Sequence, residues 1–283
     1  MSGDQRYRQA DGILDLRSRD AFVQGHLCGS TWMEAEFLAE SLNQLPPSPA
    51  DLFLVGNKEQ IEEASIFLDL KGYSVNGSIV LQHSEDLEFW TAQLGNDWCA
   101  GKTSRALWAP SDLVSWFAEN CLPDLKTGTS RPGVLDLGCG GGRDAVYLAR
   151  QGCHVTAIDQ EARVIKRAKR LAQVTGAQAN FKCCSLKQPN CFPEKNFDLI
   201  CMVRYLNREL YSRMDAQLTP GGYLLMQTFS VGAERFGSPK SPNLLLEEGE
   251  LAEVFAGYRI IVDRIDCIQD GRPVCSFIAQ KPI

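Results

Sequence analysis

Residues 134–149 read Val134-Leu135-Asp136-Leu137-Gly138-Cys139-Gly140-Gly141-Gly142-Arg143-Asp144-Ala145-Val146-Tyr147-Leu148-Ala149. The apolar run Val134–Leu137 has the length of a buried strand. It breaks into glycines, after which Ala145, Val146, Leu148 and Ala149 suit a helix packed on a sheet. A strand, a tight glycine turn and a helix start make a nucleotide site. Glycines let the backbone approach the ligand, and the free N–H groups of the first helical turn face it. The second half of such a site follows: His154–Ile158 reads as the next parallel strand, and Asp159 closes it 21 residues after Gly138. An acid at that distance is placed to bind a ribose hydroxyl.

Three readings compete for this turn. The dinucleotide fingerprint requires a glycine three residues after the second, and that position is Arg143. Asp136, two residues before Gly138, is better explained by a positively charged ligand. The pattern Asp136-x-Gly138-x-Gly140-x-Gly142, with Asp159, resembles motif I and the following acid of class I methyltransferases that use S-adenosylmethionine. A glycine-rich turn that binds nothing is the third reading, because a lone motif of this kind is weakly specific.

Downstream, Phe197-Asp198-Leu199-Ile200, a helical stretch, then Leu218-Thr219-Pro220-Gly221-Gly222-Tyr223-Leu224-Leu225 resemble the same fold. The resemblance is closest to the tellurite-resistance branch, which is similar to thiopurine methyltransferases. It is carried by Gly142–Ala149, by Arg204-Tyr205-Leu206, and by Gln227-Thr228-Phe229-Ser230 with Glu234-Arg235-Phe236-Gly237 and Gly249-Glu250-Leu251. It implies an α/β, Rossmann-like, seven-stranded domain over residues 133–283 with a closing antiparallel hairpin. It also implies a cofactor set. Gly138, Cys139 and Gly140 cradle the ligand, Asp159 takes the ribose, Ser185 and Leu186 the adenine, and Asp136 and Met202 the methionine end. Such domains usually carry an acid where Ser185 stands, although a serine hydroxyl still accepts one hydrogen bond.

Arg204 and Tyr205 follow the fourth strand, at the carboxyl end where open α/β sheets bind ligands. They are the candidate substrate-orienting residues; a salt bridge and an aromatic plug are the structural alternative. No residue pair must be a general base, and a thiol, thiolate or chalcogen acceptor would not need one. Met202-Val203-Arg204-Tyr205 stands where amino-group methyltransferases carry an Asn-Pro-Pro-Tyr type segment. The expected activity is methyl transfer from S-adenosylmethionine to a small molecule, with thiol, selenium and tellurium compounds as candidates. A protein or nucleic-acid methyltransferase and a non-catalytic S-adenosylmethionine-binding adaptor are the alternatives.

The N-terminal part reads as a second α/β unit. Gly12–Arg17 and Asp51–Val55 are strand-like, Ser18 caps a short helix, and Glu59–Lys71 is helical with Gly72-Tyr73 ending it. Strands alternating with helices imply a small parallel sheet. Leu14-Asp15-Leu16-Arg17, Asp20, Phe22, Gly25-His26, Ala64, Leu68 and Gly72-Tyr73 resemble a rhodanese-like domain. The resemblance implies a persulfide-forming cysteine at Val55 or Gly56, yet the loop Gly56-Asn57-Lys58-Glu59-Gln60 holds none. Glu59 would repel an anionic sulfur group, so sulfur transfer is expected to be lost. Docking to a protein partner, or support of the other domain, is the expected role. The boundaries expected are 1–95 for this domain, 96–132 for a linker and lid helix, and 133–283 for the methyltransferase domain.

Bulk properties narrow the setting. Residues 1–95 carry 6 Lys and Arg against 15 Asp and Glu, while residues 96–283 carry 23 against 20. The acidic N-terminal part argues against nucleic-acid binding there. No apolar run reaches the length of a membrane span. Eleven cysteines without a signal segment imply free thiols in a reducing, cytoplasmic setting, and with only three histidines no metal site is expected.

Overall fold

A computed structural model describes residues 5–126, 131–268 and 270–283. The chain forms two compact units, Met1–Ala109 and Pro110–Ile283.

Unit 1 runs β1 (Gly12–Asp15), α1 (Arg19–Gln24), β2 (His26–Leu27), β3 (Thr31–Trp32), β4 (Asp51–Gly56), α2 (Lys58–Asp69), β5 (Ser74–Val80), α3 (Ser84–Leu94) and β6 (Trp98–Cys99). β3, β1, β4 and β5 lie side by side, all parallel. Successive strand side chains point to opposite faces. Leu14, Leu52 and Leu54 therefore pack with Ala64 and Leu68 of α2 on one face, while Ile13, Phe53 and Val55 pack with Tyr7, Leu27 and Ile79 on the other. Ser18 caps α1 by accepting from the Ala21 amide. Asn57 and Gln60 form a reciprocal capping box at the start of α2, so the loop after β4 satisfies its own backbone.

Residues 96–109, expected as linker, belong to unit 1. Trp98–Cys99 pairs antiparallel with β2, and the Thr31 hydroxyl donates to the Arg105 carbonyl at 2.7 Å. Cys28 is disulfide-bonded to Cys99, with a Cα separation of 5.2 Å. A second disulfide joins Cys184 and Cys191, 5.9 Å apart at Cα. The expectation of free thiols fails at these four residues. Strand pairing brings the first pair together across a separation of 71 residues, which cysteine spacing alone does not reveal.

Unit 2 begins with α4 (Asp112–Asn120) and α5 (Leu122–Leu125), followed by β7 (Gly133–Leu137), α6 (Arg143–Arg150), β8 (His154–Asp159), α7 (Ala162–Thr175), β9 (Ala179–Cys183), β10 (Phe197–Val203), α8 (Tyr211–Gln217), β11 (Leu218–Phe229), α9 (Glu250–Val254), β12 (Arg259–Cys267) and β13 (Pro273–Gln280). These seven strands form one sheet in the order β12-β13-β11-β10-β7-β8-β9. β13 pairs antiparallel with β11 and β12, and the other pairings are parallel. The sheet is buried on both faces: Leu135, Leu137, Ile200 and Met202 enter one core layer, and Val134, Leu199, Cys201 and Leu225 the other. α4 joins the second layer through Leu113, Val114 and Phe117. Phe117 meets Tyr223 edge-on at 5.4 Å. The helix expected as a lid thus contributes to the core. No helix among the described residues is long and apolar enough to cross a membrane.

Candidate functional site

β7 lies between β10 and β8, so the chain's course through the sheet reverses direction at the β7–β10 boundary. In open α/β sheets a crevice forms outside the carboxyl ends of the strands at such a point. The glycine turn after β7 and the Arg204-Tyr205 segment after β10 meet there. A Cβ added to Gly138 would lie 2.6 Å from both Cβ and Cγ of Tyr205, and Gly138 has φ +73°. No side chain fits that place without moving Tyr205. Gly142, at φ +76°, sits equally tightly against Ala168 of α7, where an added Cβ would come within 2.6 Å. The close packing that a dinucleotide fingerprint assigns to its third glycine is therefore provided by Gly142, one residue before Arg143. At Gly140 the situation is opposite, because nothing stands within 4 Å of an added Cβ. The turn is braced beneath and open at its middle, a cradle rather than a filled corner.

Asp159 fixes that cradle. Its Oδ2 accepts the Gly140 amide at 2.9 Å, and its Oδ1 accepts the Glu161 amide at 2.9 Å. The amides of Gly138 and Cys139 donate to the Ile158 carbonyl at 2.9 and 3.0 Å. Asp136 stands at the end of β7, 2 % exposed, and its Oδ2 has no hydrogen-bond partner among the described residues. Burial pushes its carboxyl well above the usual range, and the neighbouring Asp144 and Asp159 push it the same way. A buried carboxyl without a partner is costly, and a cationic ligand would compensate it. The Cys139 thiol is likewise raised by burial and by Asp136 and Asp159, which removes it as a nucleophile.

Sequence reasoning missed Asp144 as part of this crevice. Its Oδ1 accepts the Ser111 amide at 2.7 Å and its Oδ2 accepts the Ser111 hydroxyl at 3.3 Å. Ser111 makes no side-chain capping bond to α4 and instead ties the entry of that helix to α6. Asp144 also has a raised carboxyl, through burial against these bonds.

The remaining predicted residues divide. Ser185 follows β9, half-buried, and Leu186 is buried beside it; the Cys184–Cys191 disulfide closes their loop. Met202 is 0 % exposed and packs into the core with Leu186 and Leu206. Arg204 is the one non-glycine among the described residues with a left-handed backbone, at φ 56°. Tyr205 covers Gly138 and accepts from Asn207 at 3.5 Å. Both residues line a cavity of about 500 Å³ that also takes in Thr228, Phe229, Lys240 and Arg272.

Gly138→Ala is expected to weaken nucleotide binding about 10-fold and to lower the melting temperature of unit 2. The left-handed backbone costs an L-residue roughly 1–2 kcal/mol, and Tyr205 must move. Calorimetric titration of the purified variant checks the first effect and a thermal scan the second.

Residues 134–222 match a family described as a methyltransferase domain. An uncharacterized protein of Schizosaccharomyces pombe is 27% identical over 95% of this chain and 93% of its own length. A ubiquinone biosynthesis O-methyltransferase of Xylella fastidiosa is 35% identical over 34% of this chain and 42% of its own length. The chain thus spans less than half of the length of that enzyme. Among solved structures, TehB from Haemophilus influenzae is similar at 21% identity and TM-score 0.47, over 60% of this chain and 67% of that one. Magnesium protoporphyrin IX methyltransferase from Synechocystis PCC 6803, solved with bound SAH, is similar at 18% identity and TM-score 0.46, over 60% and 80%.

Proposed function

We propose that residues 134–222, which match a methyltransferase-domain family, belong to a class I S-adenosylmethionine-dependent methyltransferase domain, and that the chain transfers the methyl group of S-adenosylmethionine to a small molecule held in the cavity beside Arg204 and Tyr205. When bound, S-adenosylmethionine supplies an electrophilic methyl on a sulfonium, leaving a neutral thioether on transfer. The chain's residues then have to bind, orient and exclude water. In this reading the open backbone of Gly138–Gly140 lets the ligand approach closely, Asp159 takes the ribose hydroxyls, and Ser185 and Leu186 border the adenine. Asp136 faces the cationic methionine end. Tyr205 is shared between the glycine turn and the acceptor cavity, and so positions one against the other.

The observation that supports this reading most is Asp136, a buried, unpartnered carboxyl beside an open glycine turn. A neutral dinucleotide end would leave it uncompensated, whereas a sulfonium ligand carrying an ammonium would not. The acceptor class is the finer part of the proposal. Thiol, selenium and tellurium compounds fit a site without an evident general base. The O-methyltransferases among the relatives add hydroxylated compounds to the panel. Unit 1 we read as a rhodanese-like domain without sulfurtransferase chemistry, supported by its parallel sheet and by the self-capped loop Asn57–Gln60 after β4.

Titrating the full chain with S-adenosylmethionine is expected to give saturable heat. Incubation with methyl-labelled S-adenosylmethionine and a panel of thiols, selenite, tellurite and phenols is then expected to give labelled product. Absence of heat would remove the reading; heat without transfer to any member would leave the binding adaptor in its place.

A further inference from the structure

The loop that follows β9 is closed twice. A disulfide joins Cys184 to Cys191, and the Lys182 ammonium donates to the carbonyls of Asn190 and Cys191, each at 2.9 Å. Ser185 and Leu186 stand between the two cysteines. The Cys184 amide donates to the Asp159 carbonyl at 3.0 Å, so the loop starts on the residue that braces the glycine turn. Leu186 is buried in the core layer of Leu137 and Ile158, beneath the ends of β7 and β8. Inside the loop the Gln188 amide donates to the Ser185 carbonyl at 2.9 Å, and the Cys191 amide to the Gln188 carbonyl at 3.1 Å.

The two sulfurs differ in access. Cys184 is half-buried, whereas Cys191 is 2 % exposed and belongs to that core layer. An incoming thiolate therefore reaches Cys184 first and leaves Cys191 as the departing sulfur. Lys182 puts a cation on the departing residue, and a thiol of lowered pKa departs faster. Five other thiols are unsuited to exchange, because burial pushes up Cys121, Cys139, Cys153, Cys201 and Cys275. The exposed Cys183 thiol is turned to the Gln160 carbonyl, at 3.7 Å.

We propose that Cys184–Cys191 is a thiol–disulfide exchange site that sets the affinity of the crevice for S-adenosylmethionine. The disulfide holds Ser185 and Leu186 where the adenine is read to lie, and a dithiol reductant releases them. The affinity part rests on the methyl-transfer reading; the release of the loop does not. In the exchange, one thiolate of the reductant attacks Cys184 Sγ. The Sγ–Sγ bond breaks, its electron pair leaves on Cys191 Sγ, and that thiolate takes a proton from water. The second thiol of the reductant then displaces Cys184 and departs as a disulfide. Two electrons enter the protein, and a disulfide such as oxidised glutathione reverses the step. A loop closed in advance has less freedom to lose when the ligand arrives, so the oxidised protein binds more tightly.

Two measurements on the full chain test this, with the redox state confirmed by mass spectrometry of alkylated peptides. Calorimetric titration with S-adenosylmethionine is expected to show at least 10-fold tighter binding by the oxidised protein than by protein reduced with dithiothreitol and freed of the reagent. Reoxidation with oxidised glutathione is expected to restore the tighter binding, a result that needs no variant. Cys184→Ser with Cys191→Ser is expected to bind weakly in both states, its fold checked by circular dichroism. Cys183→Ser is expected to keep the difference. In the second measurement, hydrogen exchange without ligand is expected to be at least 10-fold faster over residues 185–190 after reduction, with residues 134–137 unchanged. Equal affinities of the two confirmed states would overturn the proposal. So would a difference that persists in the double variant, since it would belong to Cys28–Cys99. Heat in neither state would overturn the methyl-transfer reading and the affinity part with it, while hydrogen exchange still decides whether the disulfide holds the loop.

Discussion

Asp159→Ala is expected to weaken S-adenosylmethionine binding at least 100-fold while leaving unit 2 folded. The carboxylate does two things at once. It holds the glycine turn by accepting the Gly140 and Glu161 amides, each at 2.9 Å, and in the proposed complex it receives the ribose. Hydrogen bonds to a charged acceptor contribute about 1.5–3 kcal/mol each, and a 100-fold loss corresponds to about 2.8 kcal/mol. Losing the brace and one ribose bond accounts for that figure. Asp159→Asn keeps one acceptor and is expected to fall between the two. Calorimetric titration checks the affinities and circular dichroism the fold. An unchanged dissociation constant in Asp159→Ala would separate this acid from the ligand altogether.

The second large effect concerns stability. Asp15 is fully buried and Arg17 only 11 % exposed. Asp15 accepts Arg17 Nε at 2.9 Å and Nη2 at 2.6 Å. Arg17 in turn donates to the Gly25 carbonyl at 2.7 Å, and its own carbonyl accepts the Trp32 indole at 2.9 Å. Removing the carboxylate leaves a mostly buried guanidinium uncompensated, which costs about 3–5 kcal/mol. Asp15→Ala is therefore expected to destabilise unit 1 by that amount. Removing both charges, as Asp15→Leu with Arg17→Met, is expected to recover most of it. Urea unfolding followed by tryptophan fluorescence reports this directly, because Trp32, Trp90, Trp98 and Trp108 belong to unit 1 and Trp116 alone to unit 2. A loss below 1 kcal/mol would mean that the pair does not hold the sheet.

How much of this was legible in the chain depended on how local each feature is. The parallel strands of unit 2 announce themselves as apolar runs that end in glycine or acid, and the glycine turn and Asp159 are neighbours of such ends. β5 was not anticipated, because Ser74-Val75-Asn76-Gly77-Ser78-Ile79-Val80 has little apolar pattern and only Ile79 is fully buried. β2, β3 and β6 are two residues each, too short for any period. The helical stretch expected before Leu218 is only Tyr211–Gln217, because Leu218 already pairs with Phe197 in the sheet. The core packing of Met202 was not legible, because β10 is buried on both faces and apolar runs of that kind carry no parity. Arg272 with Phe229, and Ser111 with Asp144, come together only through the sheet order. Their residues are 43 and 33 positions apart, so no motif could have joined them.

The pairing of β6 with β2 has a practical corollary. Cutting the chain after residue 95 would strip β6 from β2, orphan Cys28 and leave residues 96–109 as an unpaired leader on whatever remained. Severing between Ala109 and Pro110 instead keeps β6, the Cys28–Cys99 disulfide and the Thr31–Arg105 bond within the N-terminal half, so fragments divided there are the ones to ask what either half does by itself.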